Sequence, residues 1–419
     1  MKHIMMKTTA AAALCLAAGG AIAQEVTLTI ESWRAEDQAI WDEVLIPAFE
    51  EQHPDINLEF TPTAPTEYNA ALNARLEGGT AGDLITCRPF DGSLPLFQRG
   101  QLADITDLEG LSNFPDFAKA AWSTDDGAQV FCVPMASVIH GFIYNADAFT
   151  ELGLEEPKTV EEFFAVLDAI KEDGTYIPLA LGSADQWEAA QTVYTNIGPT
   201  YWKGEEGRQA LIDGTAEFTD EEFVAPYEQM ARWSDYMGDA YQAQGYSDSQ
   251  NLFTLGRAAI YPAGSWEITG FTDQAFFEMG AFPPPVSAEG DTCYISDHTD
   301  IGVGMNASTD HPEAARTFLD WAASAEFAEL YTLALPGFFS LSNAEFAVEN
   351  PLAQEFLSFR QDCESTVRVA AQILSRGEPN LENEMWVVSA NVLNETMTPQ
   401  EAAAEMQQGL ESWYEPQQD

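Results

Sequence analysis

Polar and apolar residues alternate in Val26-Thr27-Leu28-Thr29-Ile30 and again at Ile56, Leu58 and Phe60, the two-residue period of a strand with one buried face. Between them Ile40, Trp41, Val44, Leu45, Ala48 and Phe49 fall on one helical face. Pro47 lacks an N–H and crowds the preceding turn, so it is expected to kink or end that helix. A second helical stretch around Tyr68 to Leu76 runs into the turn Gly78-Gly79, and Asp83-Leu84-Ile85-Thr86 reads as a third strand. The order strand, helix, strand, helix, strand predicts an α/β unit with a mainly parallel sheet.

Further along, helix starts are signalled by capping-box patterns at Thr159 with Glu162, Thr219 with Glu222, and Thr398 with Pro399 and Glu401. Val160, Phe163, Phe164, Leu167 and Ile170 give the first of these an apolar face. Val130 to Asn145 holds strand-like runs on both sides of Pro134 and is suited to cross from one sheet to another. The chain of 419 residues is long enough for two or three domains. It shows neither a 20-to-50-residue repeat nor a low-complexity linker, so two lobes would be joined through strands or short ordered segments.

Charge narrows the partners. The chain has 68 acidic and 17 basic residues, a net −51. Such a polyanion repels phosphate backbones and anionic lipid headgroups, which argues against nucleic acid and membrane-surface partners. The acids are spread along the chain, as on a solvated surface adapted to salty surroundings. At the N-terminus Lys2 and Lys7 precede the apolar run Ala10 to Ala18, and Ala21-Ile22-Ala23 has the small-x-small form of a signal-peptidase site. Residues 1–23 therefore read as a secretory signal cleaved after Ala23, which takes the net charge to −53. Four cysteines then remain, Cys87, Cys132, Cys293 and Cys363, in an oxidising route and without a Cys-x-x-Cys pair. Two disulfides fit better than a metal site; of three possible pairings, Cys87–Cys132 with Cys293–Cys363 is preferred because the first two close strand-like segments of one lobe.

Catalytic and cofactor motifs are missing: no Walker A sequence, full Rossmann fingerprint, nucleophile elbow, zincin motif or EF-hand loop occurs. Gly302-Val303-Gly304 is a fragment of a dinucleotide fingerprint within a strand. His298 and Asp300 lack a third metal ligand, so no metal and no cofactor is expected. The positive signal is aromatic. Among Trp33, Trp187, Trp202, Trp266, Trp386 and Trp413 are several beside polar residues and turns, as in Glu31-Ser32-Trp33-Arg34 and Gly264-Ser265-Trp266-Glu267. A loop tryptophan next to glycine is available to stack on a ligand, and sugar C–H faces suit indole. Trp41, Trp233 and Trp321 sit at helical spacing and read as core.

Taken in order, several segments resemble one family. They are the strand ending in Ser32-Trp33; Phe49-Glu50-Glu51-Gln52-His53-Pro54-Asp55-Ile56; Tyr68 to Leu76 running into Gly78-Gly79-Thr80-Ala81-Gly82-Asp83-Leu84; and Val133-Pro134 with Phe142-Ile143-Tyr144-Asn145. Pro157-Lys158-Thr159-Val160-Glu161-Glu162-Phe163, Gly256-Arg257-Ala258-Ala259-Ile260 with Gly264-Ser265-Trp266, and His311-Pro312-Glu313-Ala314-Ala315 with Phe318-Leu319 follow. Together they are similar to the extracellular solute-binding proteins of bacterial carbohydrate ABC importers, the group that includes maltose-binding protein. The resemblance implies a periplasmic-binding-protein-like α/β fold: two α/β lobes, three crossings and a ligand cleft between them that closes as a hinge. It implies crossings near Pro134 to Val138, Tyr294 to Ile301 and Ala334 to Leu341. The N-terminal lobe would then be 24–136 plus about 300–336, and the C-terminal lobe 137–299 plus about 337–419. It also implies a non-enzymatic, monomeric protein in the periplasm that hands a carbohydrate to transmembrane permease subunits.

Carried over by position, Trp33 and Arg34 face the cleft from the first lobe. Arg88 and Asp91 follow the third strand and would bond adjacent hydroxyls, through charge-assisted bonds about twice as strong as neutral ones. Trp187 and Trp266 supply stacking from the second lobe with help from Glu267, and Phe338 lies at the third crossing. Tyr68 is a further candidate, and His140 and Asp300 stand beside the crossings. Cys87 stands where maltose-type members carry a stacking aromatic, and Ala136 to Val138 holds no acid where they have one, which argues against maltodextrin. An oligosaccharide, a disaccharide and a glycosylated osmolyte stay open. The rival readings are a secreted glycoside hydrolase or lyase, and the same fold holding a polyamine, an anion or a metal.

Overall fold

The computed structural model describes Val26–Gln418; the expected signal peptide and its cleavage point lie outside those residues. Strands β1 (Val26–Ser32), β2 (Ile56–Pro62) and β3 (Leu84–Cys87) form where the alternation predicts them, and β1 runs parallel to both others. The Pro65–Gly78 helix connects β2 to β3 and ends on Gly79, whose φ of 66° is left-handed and suits a residue without a Cβ. Pro47 does not stop its helix. Helical backbone continues from Gln38 to Gln52 because a wider π turn at Trp41–Leu45, in which the Ile46 N–H reaches the Trp41 carbonyl, puts Pro47 in the first turn of a new segment that needs no N–H from it.

The remaining strands are β4 (Val133–Asn145), β5 (Ile177–Leu179), β6 (Ala258–Gly264), β7 (Met279–Phe282), β8 (Tyr294–Met305), β9 (Phe339–Ser340) and β10 (Glu364–Thr366). They join the first three in the order β2-β1-β3-β8-β4-β6-β5, with β10 on β8 and with β7 and β9 on β4. The mainly parallel sheet expected of the first unit is present, and beyond it the pairing is mostly antiparallel. The long strands β4 and β8 run antiparallel to each other, β8 also to β3, and β4 to β6, β7 and β9. Pro134 is tolerated in β4 beside a register irregularity, where a missing ladder donor costs little.

Those strands carry the chain between lobes. Val138 belongs to the hydrophobic core that contains β1 to β3, whereas its neighbour Ile139 belongs to a separate core against β6 and β7. The same change happens between Ile295 and Ile301 in β8, and at the third crossing Phe339 belongs to the second of these cores while Phe338 and Leu341 on either side belong to the first. At each crossing, therefore, a short backbone segment separates two packed interiors, the arrangement in which rigid bodies turn about a hinge.

Both preferred disulfides are present, Cys87–Cys132 and Cys293–Cys363. Gly302 and Gly304 have a packing role: a Cβ on Gly304 would lie 2.6 Å from Cys132 Sγ, and one on Gly302 would lie 2.8 Å from the Trp122 ring. The capping boxes at Thr159 and Thr398 form, but the one at Thr219 does not. The Glu221–Ala231 helix starts after Asp220, and the Thr219 hydroxyl is turned to Glu217 instead. Trp41, Trp233 and Trp321 are core as expected, and Trp202 joins them. Trp413 packs against the core of the second lobe. No helix among the described residues is long and apolar enough to cross a membrane.

Candidate functional site

β1 ends against the gap between the lobes, so Trp33 and Arg34 stand at its edge. Arg34 is held by Asp37, with Nε and Nη2 donating to its two carboxylate oxygens at 2.9 and 2.8 Å, and it reaches Glu36 at 2.6 Å. Its guanidinium lies 4.6 Å over the Phe338 ring. Arg88, at the end of β3, stacks 4.3 Å over Trp33 and donates through Nε to Asn69 at 3.2 Å. Burial draws the Arg88 pKa down, opposed by the nearby Asp300 and Glu382. Behind Trp33, Tyr68 meets it edge-on at 5.6 Å and donates its hydroxyl to the Thr86 carbonyl at 2.9 Å. Tyr68 and Phe338 are thus buried supports of this wall.

The opposite wall comes from the second lobe. Trp187 meets Tyr246 edge-on at 4.8 Å, and Trp266 follows the end of β6. Glycine precedes Trp266 for a steric reason, since a Cβ on Gly264 would lie 1.8 Å from the indole ring. The Trp266 Nε1–H donates to both the Tyr246 hydroxyl and Glu267 Oε1 at 3.1 Å. Glu267 itself is buried beneath, where burial pushes its carboxyl up to about 7 against the hydrogen bonds from Tyr246 and Gln250. Trp386 completes the wall.

Between the walls Arg368 gathers three groups. Its Nε donates to His298 Nε2 at 2.7 Å, Nη2 to Asp300 at 2.9 Å and Nη1 to Glu382 at 3.4 Å. Burial and the adjacent Arg368 charge lower the His298 pKa to about 4, so the ring is neutral near pH 7 and its Nε2 accepts from arginine. Burial alone would raise Asp300, but the charges of Arg368 and Arg88 outweigh it and hold the carboxyl well below its usual range. His140 is fully buried beside His298 and Trp266, away from the open space.

The space has two connected parts. Trp33, Trp187, Trp266 and Trp386 face an aromatic chamber of about 650 Å³ of empty volume, counting its open mouth. Arg88, Asp300, Arg368 and Glu382 border both this chamber and a more polar one of about 1070 Å³ that reaches Asn69, Asp91 and Asn383. Asp91 and Arg88 do not act as neighbours: Asp91 accepts from Arg376 Nε at 2.7 Å, while Arg376 also grips Asp125 through both Nη groups. That clasp joins the lobes beside the second chamber. The sequence reading missed Arg368, Glu382, Tyr246 and Arg376. Among the described residues no group of three or more His, Cys, Asp or Glu side chains is placed to hold a metal ion.

The model of the bacterial extracellular solute-binding proteins matches residues 32–329. The chain belongs to that family. The multiple sugar-binding protein of Streptococcus mutans is 23% identical over 68% of this solute-binding protein and 69% of the relative. A probable sugar-binding periplasmic protein of Rhizobium meliloti is 27% identical over 62% and 63%. The aligned stretch thus spans about two thirds of these relatives. Among solved structures, the solute-binding protein RafE in complex with raffinose superposes with a TM-score of 0.78 at 20% identity, covering 94% of this chain and all of that one, a likeness of fold. The family is one of binding proteins and not of enzymes, and its description is extracellular.

Proposed function

We propose that this solute-binding protein is the periplasmic component of an ABC importer, that it binds a sugar or oligosaccharide between its lobes, and that it releases the ligand unchanged to membrane permease subunits. One observation carries the reading: four tryptophans converge on a chamber whose border is formed by Arg88, Asp300, Arg368 and Glu382. Flat indole faces suit the C–H faces of pyranose rings, and guanidinium and carboxylate groups suit the hydroxyl rim. Three arginines and three carboxylates line that chamber, so its formal charge balances and favours an uncharged saccharide. The sugar-binding names of the two relatives support the same ligand class.

In this reading Trp33, Trp187 and Trp266 stack on the ligand, Arg34, Arg88 and Asp300 bond its hydroxyls, and Asp91 contributes from the second chamber. Trp386, Arg368 and Glu382 are added to that set. The first lobe is 24–136 plus about 300–336, the second is 137–299 plus about 337–419, and the protein acts as a monomer after cleavage behind Ala23. The test is a calorimetric titration with neutral mono- to tetrasaccharides, followed by chromatography of the recovered sugar. Saturable binding with the sugar intact is expected. Turnover would favour the secreted hydrolase or lyase reading, and binding of a polyamine in place of every sugar would move the fold to another ligand class.

A further inference from the structure

The Glu267 carboxylate collects four donors from three elements of the second lobe. Oε1 accepts from the Tyr246 hydroxyl at 2.5 Å, the Trp266 Nε1–H at 3.1 Å and the Tyr261 hydroxyl at 3.3 Å, and Oε2 accepts from Gln250 Nε2 at 2.9 Å. Two of these donors, Trp266 and Tyr246, face the aromatic chamber, whereas Glu267 is 2% exposed and borders neither chamber. An ionised carboxylate has only acceptor sites, so it satisfies all four donors at once. A neutral carboxyl or an amide brings a donor of its own, and one of the four must then turn away or go unpaired.

We propose that Glu267 is a positioning residue: without touching the ligand, its carboxylate fixes the ring orientations of Trp266 and Tyr246 that make the stacking wall of the second lobe. The inference rests on the binding reading for its purpose, but its geometry does not depend on which ligand binds. The groups facing Glu267 are consistent with a carboxylate whose charge state is finely set. Tyr246 and Gln250 approach from the Tyr246–Thr254 helix, and Tyr261 from β6. Glu188, next to Trp187, is a fully buried acid whose pKa is raised by burial and further by the Glu267 charge, and Arg34 and Glu36 act on Glu267 across the cleft with opposite signs. Lowering the pH through neutrality protonates the Glu267 carboxyl and loosens the wall; raising it restores four accepted bonds.

The experiment uses the signal-free chain without ligand. Trp266 emission is taken as the difference between wild type and Trp266→Phe and followed from about pH 5 to pH 9, a range that spans the ordinary and the raised carboxyl pKa. A single step centred near pH 7 is expected in the wild type. Glu267→Gln should remove the step, and Tyr246→Phe, which deletes one donor to the carboxylate, should move it to higher pH. A flat profile in the wild type overturns the proposal without reference to any variant, and so does an unchanged step in Glu267→Gln. Because no ligand is present, a failure here counts against Glu267, whereas a failure of saccharides to bind counts against the binding reading alone.

Discussion

The two walls of the cleft are built on different principles. In the first lobe, charge lies on the surface of the wall: Arg88 rests on Trp33 and Arg34 on Phe338, each with its guanidinium toward the space between the lobes. In the second lobe the charge beside the stacking rings is hidden, with Glu267 beneath Trp266 and Tyr246, while that lobe's open charges, Arg368 and Glu382, stand apart where the two chambers meet. One wall offers strong directional donors and the other offers flat apolar area. A saccharide, with a hydroxyl rim and C–H faces, is the ligand that the proposed reading matches to these two walls. The difference also has an energetic side, since buried Arg34 is paired with Asp37 and Glu36 whereas the Glu267 carboxylate is met only by neutral donors.

The largest expected effect tests that difference. A carboxyl whose pKa is raised on folding binds its proton more tightly in the native state, so its stabilisation is complete below the unfolded value of 4.5 and is lost as pH rises through about 7. Wild type should therefore lose roughly 3 kcal/mol relative to Glu267→Gln between those limits, at about 1.4 kcal/mol per unit. Denaturant unfolding of both proteins along a pH series reads this difference, and parallel curves would show that the second wall carries no such charge.

Next in size is Arg88→Ala. Losing charge-assisted bonds to a ligand costs about 1.5–3 kcal/mol, and Arg88→Lys should restore little because a single ammonium cannot lie flat on Trp33 with a fork of donors. Calorimetric affinities equal to wild type would remove the first wall from the account. Trp266→Ala should cost about 1 kcal/mol of affinity, and Gly264→Ala a comparable amount, since its new methyl group displaces the same ring. If Gly264→Ala binds normally, the orientation of Trp266 is immaterial.

The smallest effect belongs to the clasp between Arg376 and the Asp91 and Asp125 pair. Being partly exposed, it is worth up to about 1 kcal/mol and is screened by salt. Arg376→Ala should weaken ligand binding a few-fold in dilute buffer and hardly at all in molar salt. An effect that persists in high salt would mean that the clasp acts through packing.

Much of the first wall was legible along the chain and less of the second. Trp33, Arg34 and Arg88 sit at the ends of strands that the alternation pattern marks, so local sequence points at them. Trp187 and Trp266 were visible as loop tryptophans beside polar residues. Tyr246, Arg368 and Glu382 carry no local signature: they enter the site through distant segments that the lobe crossings bring back to it. One signal was present, because only 11 arginines occur in so acidic a chain and each is a scarce charge that folding must place. Glu267 was legible as a member of the Gly264–Glu267 turn, but its depth was not, because burial depends on the packing of Tyr246 and Tyr261 over it. Pro47 and Thr219 misled for local reasons, a π turn in one case and a competing Asp220 start in the other.

The measurement that bears most directly on the central claim is the thermal shift of wild type, Trp33→Ala and Trp266→Ala with a series of neutral oligosaccharides. A ligand at 100 times its dissociation constant adds roughly 2.7 kcal/mol of stability. The two-wall account predicts a clear rise in Tm for wild type with at least one saccharide and a reduced rise for both variants. A full-sized rise in either variant, or no rise in the wild type with any saccharide, would contradict it.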